Sequence, residues 1–113
     1  MIRSAVDFQK IQGQSRSRAH PALLLRYRRN DLGRTRFGIS TGRRVGNSVI
    51  RNRIRRRLRE VLRLLNPQIE AGWDILIVAR VPAAETSQAE LHEILVRLME
   101  QARLLVKEKI GSI

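Results

Sequence analysis

The chain has 113 residues, 42% of them hydrophobic, enough for one modest core and too few for two. Lys and Arg number 23 against 10 acids, a formal charge of +13, which suits polyanions, nucleic acid first and an anionic membrane surface second. Cysteine is absent, which excludes disulfides, thiol nucleophiles and cysteine-held zinc, and no apolar run approaches the ~18 residues of a bilayer span or the core of a signal peptide, so a soluble, cytoplasmic protein is expected.

Ser4 and Asp7 read as the start of a short helix that Gly13 would stop, with Phe8 and Ile11 on neighbouring positions. Gln14 to His20 is polar and leads into His20-Pro21, whose proline favours extended backbone, so a short edge strand is expected there. Ala22 to Arg29 opens apolar and then alternates, with Tyr27 between Arg26 and Arg28, and reads as a strand. Asn30-Asp-Leu-Gly33 is a turn by composition. Arg34 to Thr41 alternates again, with Thr35, Phe37, Ile39 and Thr41 on one face. These two strands are expected to form an antiparallel pair.

The next stretch, Gly42 to Leu65, holds the densest positive charge in the chain. Ile50, Ile54, Leu58, Val61, Leu62 and Leu65 recur at a spacing of three and four, which lays them along one stripe of a helix capped by Asn47 or Ser48 and ended by Asn66-Pro67. On that wheel Asn52, Arg55, Arg56, Arg59 and Arg63 take the opposite face, Arg53 and Arg57 flank the stripe, and Arg51 lies near its other edge. Glu60 is the single acid in the segment. A solvated charge run normally alternates signs, and this one does not. Arginine's planar fork of donors fits phosphate oxygens two at a time and stacks on bases, so the face reads as a polyanion-binding surface.

Gly72 to Arg80 has the continuous apolar character of an inner strand. Ser87 to Glu90 has the form of a capping box, and Leu91, Ile94, Leu95, Leu98, Met99, Ala102, Leu105 and Val106 predict an amphipathic helix to about Lys109. The expected fold is α+β, one RNA-binding domain over residues 1–113 in the order α-β-β-β-α-β-α. Its mixed sheet would carry the arginine-rich helix in a β-α-β crossover. No phosphate loop, dinucleotide fingerprint, nucleophile with its base or carboxylate cluster is present, and no catalytic or metal-ligating residue is assigned. His20 and His92 lie far apart and read as surface or rim positions.

The stretch Arg36 to Arg59, with Arg51-Asn52-Arg53 at its centre, resembles the signature of the bacterial ribonuclease P protein component, and the resemblance extends to Asp7-Phe8-Gln9-Lys10 and to Gly72 to Arg80. It implies a small basic subunit of an endoribonuclease that matures tRNA 5′ ends, in which an RNA performs the cleavage and holds most of the magnesium. The implied partners are ribonuclease P RNA and precursor tRNA, with no membrane and no obligatory protein partner. Arg43, Arg44, Arg51, Asn52, Arg53, Arg55, Arg56 and Arg59 would face the catalytic RNA. Phe8 and Lys10, with Tyr27, would line a cleft for the single-stranded leader. The resemblance also implies a left-handed crossover, against the usual hand. Two positions depart from the family: Gln12 stands where a second aromatic is common, and Leu25 occupies a strand position that is often aromatic, for which Tyr27 on the same strand face is the substitute. A ribosomal or other structural RNA-binding protein shares the charge and a similar fold and is the alternative reading. A DNA-binding helix module and a membrane-surface helix fit less well, because the 30–33 turn joins strands and the arginine helix lacks an aromatic anchor.

Overall fold

The computed structural model describes residues 15–106. The first helix expected at Ser4, with Phe8 and Lys10, lies outside the described residues, as does the stretch beyond residue 106. Four strands, β1 (Arg16–Ala19), β2 (Leu23–Arg29), β3 (Arg36–Thr41) and β4 (Trp73–Ala79), and two helices, α1 (Ser48–Leu65) and α2 (Gln88–Gln101), surround one core.

The sheet order is β1-β2-β4-β3, so β2 and β3 are not partners and the antiparallel pair expected between them does not form. Instead β4 lies between them, antiparallel to β2 and parallel to β3. Ile75, Leu76 and Ile77 of β4 are all fully buried, and a strand apolar on both faces belongs in the middle of a sheet rather than at its edge. The crossover through α1 delivers it there, directly beside β3. The 30–33 turn therefore links strands that have one strand, β4, between them. Within it the Asn30 side chain accepts from the Leu32 amide at 2.9 Å, and Gly33 takes φ 71°. At the other edge β1 pairs with β2 over four residues, the short polar edge strand expected before Pro21.

Register divides the sheet into two faces. Leu23, Leu25 and Tyr27 of β2 stand level with Ala79, Ile77 and Ile75 of β4. These six belong to the same buried cluster as Ile54, Leu58, Val61, Leu62 and Leu65 of α1 and Leu91, Leu95, Leu98 and Met99 of α2. The opposite face carries a cross-strand row, Arg28, Asp74 and Arg36.

Helix α1 begins as its sequence requires. The Asn47 side chain accepts from the Ile50 amide at 3.0 Å, and Gly46 precedes it at φ 155°, where an added Cβ would lie 2.9 Å from the Ile50 side chain. Its end falls at Leu65, where Pro67 continues into a 3-10 turn.

Helix α2 opens on the expected capping box, with Ser87 Oγ accepting from the Glu90 amide at 3.1 Å and Glu90 accepting from the Ser87 amide at 3.3 Å. It stops at Gln101 rather than near Lys109. Arg103 adopts φ 58°, its amide donates to Glu100 and that of Leu104 to Met99. This is the paired hydrogen-bond pattern that closes helices on a left-handed residue, with Leu104 buried as Met99 is. Beyond it the Glu70 amide donates to Leu104, and the Val106 amide to Gln68. Leu105 and Val106 thus fit helical spacing while serving as an extended tie to residues 68–70.

Candidate nucleic-acid interface

The exposed side of α1 carries the expected row. Val49, Asn52, Arg55, Arg56 and Arg59 line a shallow hollow of about 530 Å³. Asn52 and Arg55 belong together, because the Asn52 carboxamide oxygen accepts from the Arg55 guanidinium at 2.9 Å and so fixes its direction. The only acid of α1, Glu60, is taken up by Arg63, which donates to both of its oxygens at 2.7 and 3.0 Å. That bond holds the Glu60 carboxyl below its usual range. The one acid of the helix is thus engaged by Arg63, and it forms no ion pair with the guanidinium groups from Arg51 to Arg59. Nothing on α1 neutralises this positive surface, and a bound anion would.

Arg51 and Arg53 flank the buried stripe and are half-buried. Each holds a buried Nε without a hydrogen-bond partner among the described residues, a donor left to be satisfied. Arg43 and Arg44 lie exposed in a 3-10 turn, Arg43–Val45, that leads to the start of α1, with Val45 anchored in the core. Seven of the eight residues assigned to RNA from sequence are arginines, and the eighth, Asn52, orients one of them. All eight come together on one helix and the turn before it. Arg57 has a different position: it is half-buried and donates to the Thr86 carbonyl at 3.0 Å, tying α1 to the connection before α2.

Tyr27 is the one residue assigned to the leader cleft that lies among the described residues. It is 4% exposed, and its ring meets Trp73 edge-on with centroids 5.9 Å apart. A ring buried to this degree has little face left for stacking, and Tyr27 forms part of the wall of a cavity. That cavity, about 730 Å³, is lined by Tyr27, Trp73 and a group of arginines that sequence reasoning did not assemble: Arg16, Arg18, Arg28, Arg29 and Arg103. The Arg16-Ser17-Arg18 alternation and the Arg28-Arg29 pair were the available signals. What joined them was the β1-β2 register together with the early end of α2.

On the other face of the sheet Asp74 is fully buried. It accepts from Arg36 at 2.9 Å through two donors, from Arg28 at 3.1 Å and from Asn30 at 2.9 Å. Burial alone would raise its pKa, but the hydrogen bonds from Arg36 and Asn30 and the charges of Arg36 and Arg28 outweigh it and hold the carboxyl below its ordinary value. Asp74 is therefore committed to four donor groups from three residues. Among the described residues no three acids, histidines or cysteines gather where they would hold a metal ion. No described helix is long and apolar enough to cross a membrane.

The Ribonuclease P family model matches residues 1–103. The ribonuclease P protein component of Symbiobacterium thermophilum is 38% identical over 108 residues, which span 95% of this chain and 94% of that protein. That of Natranaerobius thermophilus is 36% identical over 109 residues, spanning 96% and 95%. Among solved structures, the RNase P protein of Staphylococcus aureus superposes with a TM-score of 0.84 at 30% identity, covering 91% of this chain and 94% of that one. The Thermotoga maritima protein gives 0.81 at 26% identity, covering 88% and 94%.

Proposed function

The chain belongs to the ribonuclease P protein family, and from that membership we propose that the arginine face of α1 binds the catalytic RNA while the rest of the protein helps hold precursor tRNA. As the protein component it is a subunit of an endoribonuclease holoenzyme, a ribonucleoprotein that matures the 5′ ends of tRNA. The observation that carries the assignment of the face is the run of guanidinium groups from Arg51 to Arg59 beside an acid already occupied by Arg63. RNA phosphates supply the missing counter-charge, and the forks of Arg55, Arg56 and Arg59, with Asn52 bonded to Arg55, suit the closely spaced oxygens of a folded RNA backbone. Arg43 and Arg44 extend the same surface toward β3.

The reading extends to a leader site formed by Phe8 and Lys10 with Tyr27, and to magnesium held mainly by the RNA. The protein acts there by neutralising phosphate charge and positioning substrate, so cleavage needs less magnesium when it is present. The experiment adds the full chain to ribonuclease P RNA and precursor tRNA at low magnesium. Rescue of accurate 5′ cleavage is expected, and its loss in the Arg55→Glu, Arg59→Glu double variant locates the RNA surface. A double variant that rescues as well as the parent places the catalytic RNA elsewhere.

A further inference from the structure

We propose that the cavity beside Trp73 is a pocket for one unpaired RNA nucleotide, its base stacked on the Arg29 guanidinium and its phosphate held by the arginines around it. The inference rests on the RNA-binding reading above and adds to the α1 surface a pocket whose wall includes Tyr27. Helix α1 starts close after the end of β3, level with Ala79, whereas Trp73 begins β4. Six residues of strand, roughly 20 Å, separate the two ends of the sheet. The pocket and the N-terminal arginines of α1 therefore meet different segments of RNA.

Four observations meet in this cavity. Its volume of about 730 Å³ lies in the range of small-molecule sites. The Arg29 guanidinium carbon lies 5.0 Å from the centroid of the Trp73 ring, and Arg29 is an exposed residue that a base can reach. Unpaired bases stack on arginine planes held in this manner as well as on aromatic rings. Trp73 itself is packed against Tyr27 in a T-shaped pair. The wall carries five arginines, of which Arg28 is paired with Asp74, and no carboxylate among the described residues. Two of them, Arg16 and Arg18, are alternate residues of the exposed edge strand β1 and stand level with Tyr27 and Leu25.

The fourth observation is backbone strain. Arg103 occupies the left-handed position that closes α2, where glycine is the usual residue and any side chain is unfavourable. The side chain kept there is a guanidinium on the cavity wall. A purely structural account is that a cation near the end of α2 complements the helix dipole. The two accounts separate on substitution, because glycine relaxes the backbone and removes the RNA contact together.

Trp73 is the single tryptophan of the chain, so its fluorescence reports the pocket directly. The full chain is titrated with a single-stranded oligouridylate, with poly-glutamate of equal length as control. Expected are a change in Trp73 emission, roughly tenfold weaker binding in Arg29→Gln, and several-fold weaker binding in Arg103→Gly together with a raised Tm. Unchanged affinity in both variants, or equal binding of poly-glutamate, overturns the proposal. In the reconstituted holoenzyme, 4-thiouridine placed either in the precursor tRNA leader or in unpaired segments of the catalytic RNA identifies the source by which strand crosslinks to the Trp73 peptide. Crosslinking of neither strand to that peptide also overturns it. If the Arg29 and Arg103 variants behave as the parent while Arg55→Glu with Arg59→Glu still abolishes catalytic RNA binding, the pocket fails and the function proposed for α1 stands.

Discussion

Asp74 shows how a single side chain can order a face built of arginine. Its carboxylate stands between Arg28 and Arg36 in one cross-strand row and accepts from both and from Asn30. Removing one partner of a buried pair leaves the remaining charges uncompensated. Because the two arginines keep about a fifth of their side-chain surface in water, 21% and 19%, the cost of Asp74→Asn is expected at about 2–3 kcal/mol rather than the full value of a sealed pair. The pH dependence has a definite sign. The folded carboxyl titrates below its ordinary value, so its stabilisation is complete above the ordinary aspartate pKa and is lost as pH falls through the lower folded one. Thermal melts from neutral pH down into the acid range should show a fall in Tm that is shallower in Asp74→Asn. Parallel curves would mean that the row contributes nothing through ionisation. No sequence pattern reveals this row, since Asp74 reads as an isolated acid in an apolar run until the register places arginines on both sides of it.

The elements themselves were largely legible. The stripe from Ile50 to Leu65, the Ser87 capping box and the polar edge strand before Pro21 each carry their own local signal, in periodicity, cap chemistry or a proline. Pairing carries no such signal. The short 30–33 turn suggested neighbours, and the burial demand of β4 overruled it. The end of α2 was hidden for a related reason, because Leu105 and Val106 keep helical spacing while pairing with residues 68–70. In the arginine surface, type and position were legible but bonding was not: Arg57 resembles its neighbours in sequence and is engaged by the Thr86 carbonyl. Arg57→Ala is accordingly expected to lower stability by about 1–2 kcal/mol and leave affinity for catalytic RNA within about twofold, measured by melting and by filter binding; a large affinity loss with an unchanged Tm would place Arg57 at the RNA instead. At the entry to α1, Gly46→Ala forces a Cβ to within 2.9 Å of the Ile50 side chain at φ 155°. A loss of about 2 kcal/mol is expected, and a Tm equal to that of the parent would show that the entry turn relaxes freely.

Taken whole, the molecule presents basic surfaces that suit RNA, and three of the acids among its described residues are engaged in holding its own structure. Hydrolysis of a phosphodiester by a protein needs an activated nucleophile and charge stabilisation at phosphorus, commonly from carboxylate-held metals or paired histidines. Here the buried acid, Asp74, is bound to two arginines and an asparagine, Glu60 is bound to Arg63, and Glu90 caps α2. Arginines fix a phosphate in place but do not generate hydroxide. The purified chain, freed of RNA by nuclease treatment and denaturing chromatography, is therefore expected to leave precursor tRNA intact in magnesium, and accurate leader removal by that preparation would reveal a protein active site. Binding should carry the electrostatic signature of the surface. With about five phosphates engaged by the α1 face, log affinity for catalytic RNA should fall against log salt with a slope of roughly −3 to −5. Arg55→Glu with Arg59→Glu should flatten that slope by about two, because each arginine removed takes one released counterion with it, whereas Arg97→Glu on α2 should leave it nearly unchanged. Equal flattening by the α2 substitution would mean that net charge of +13, and not the row on α1, carries the interaction.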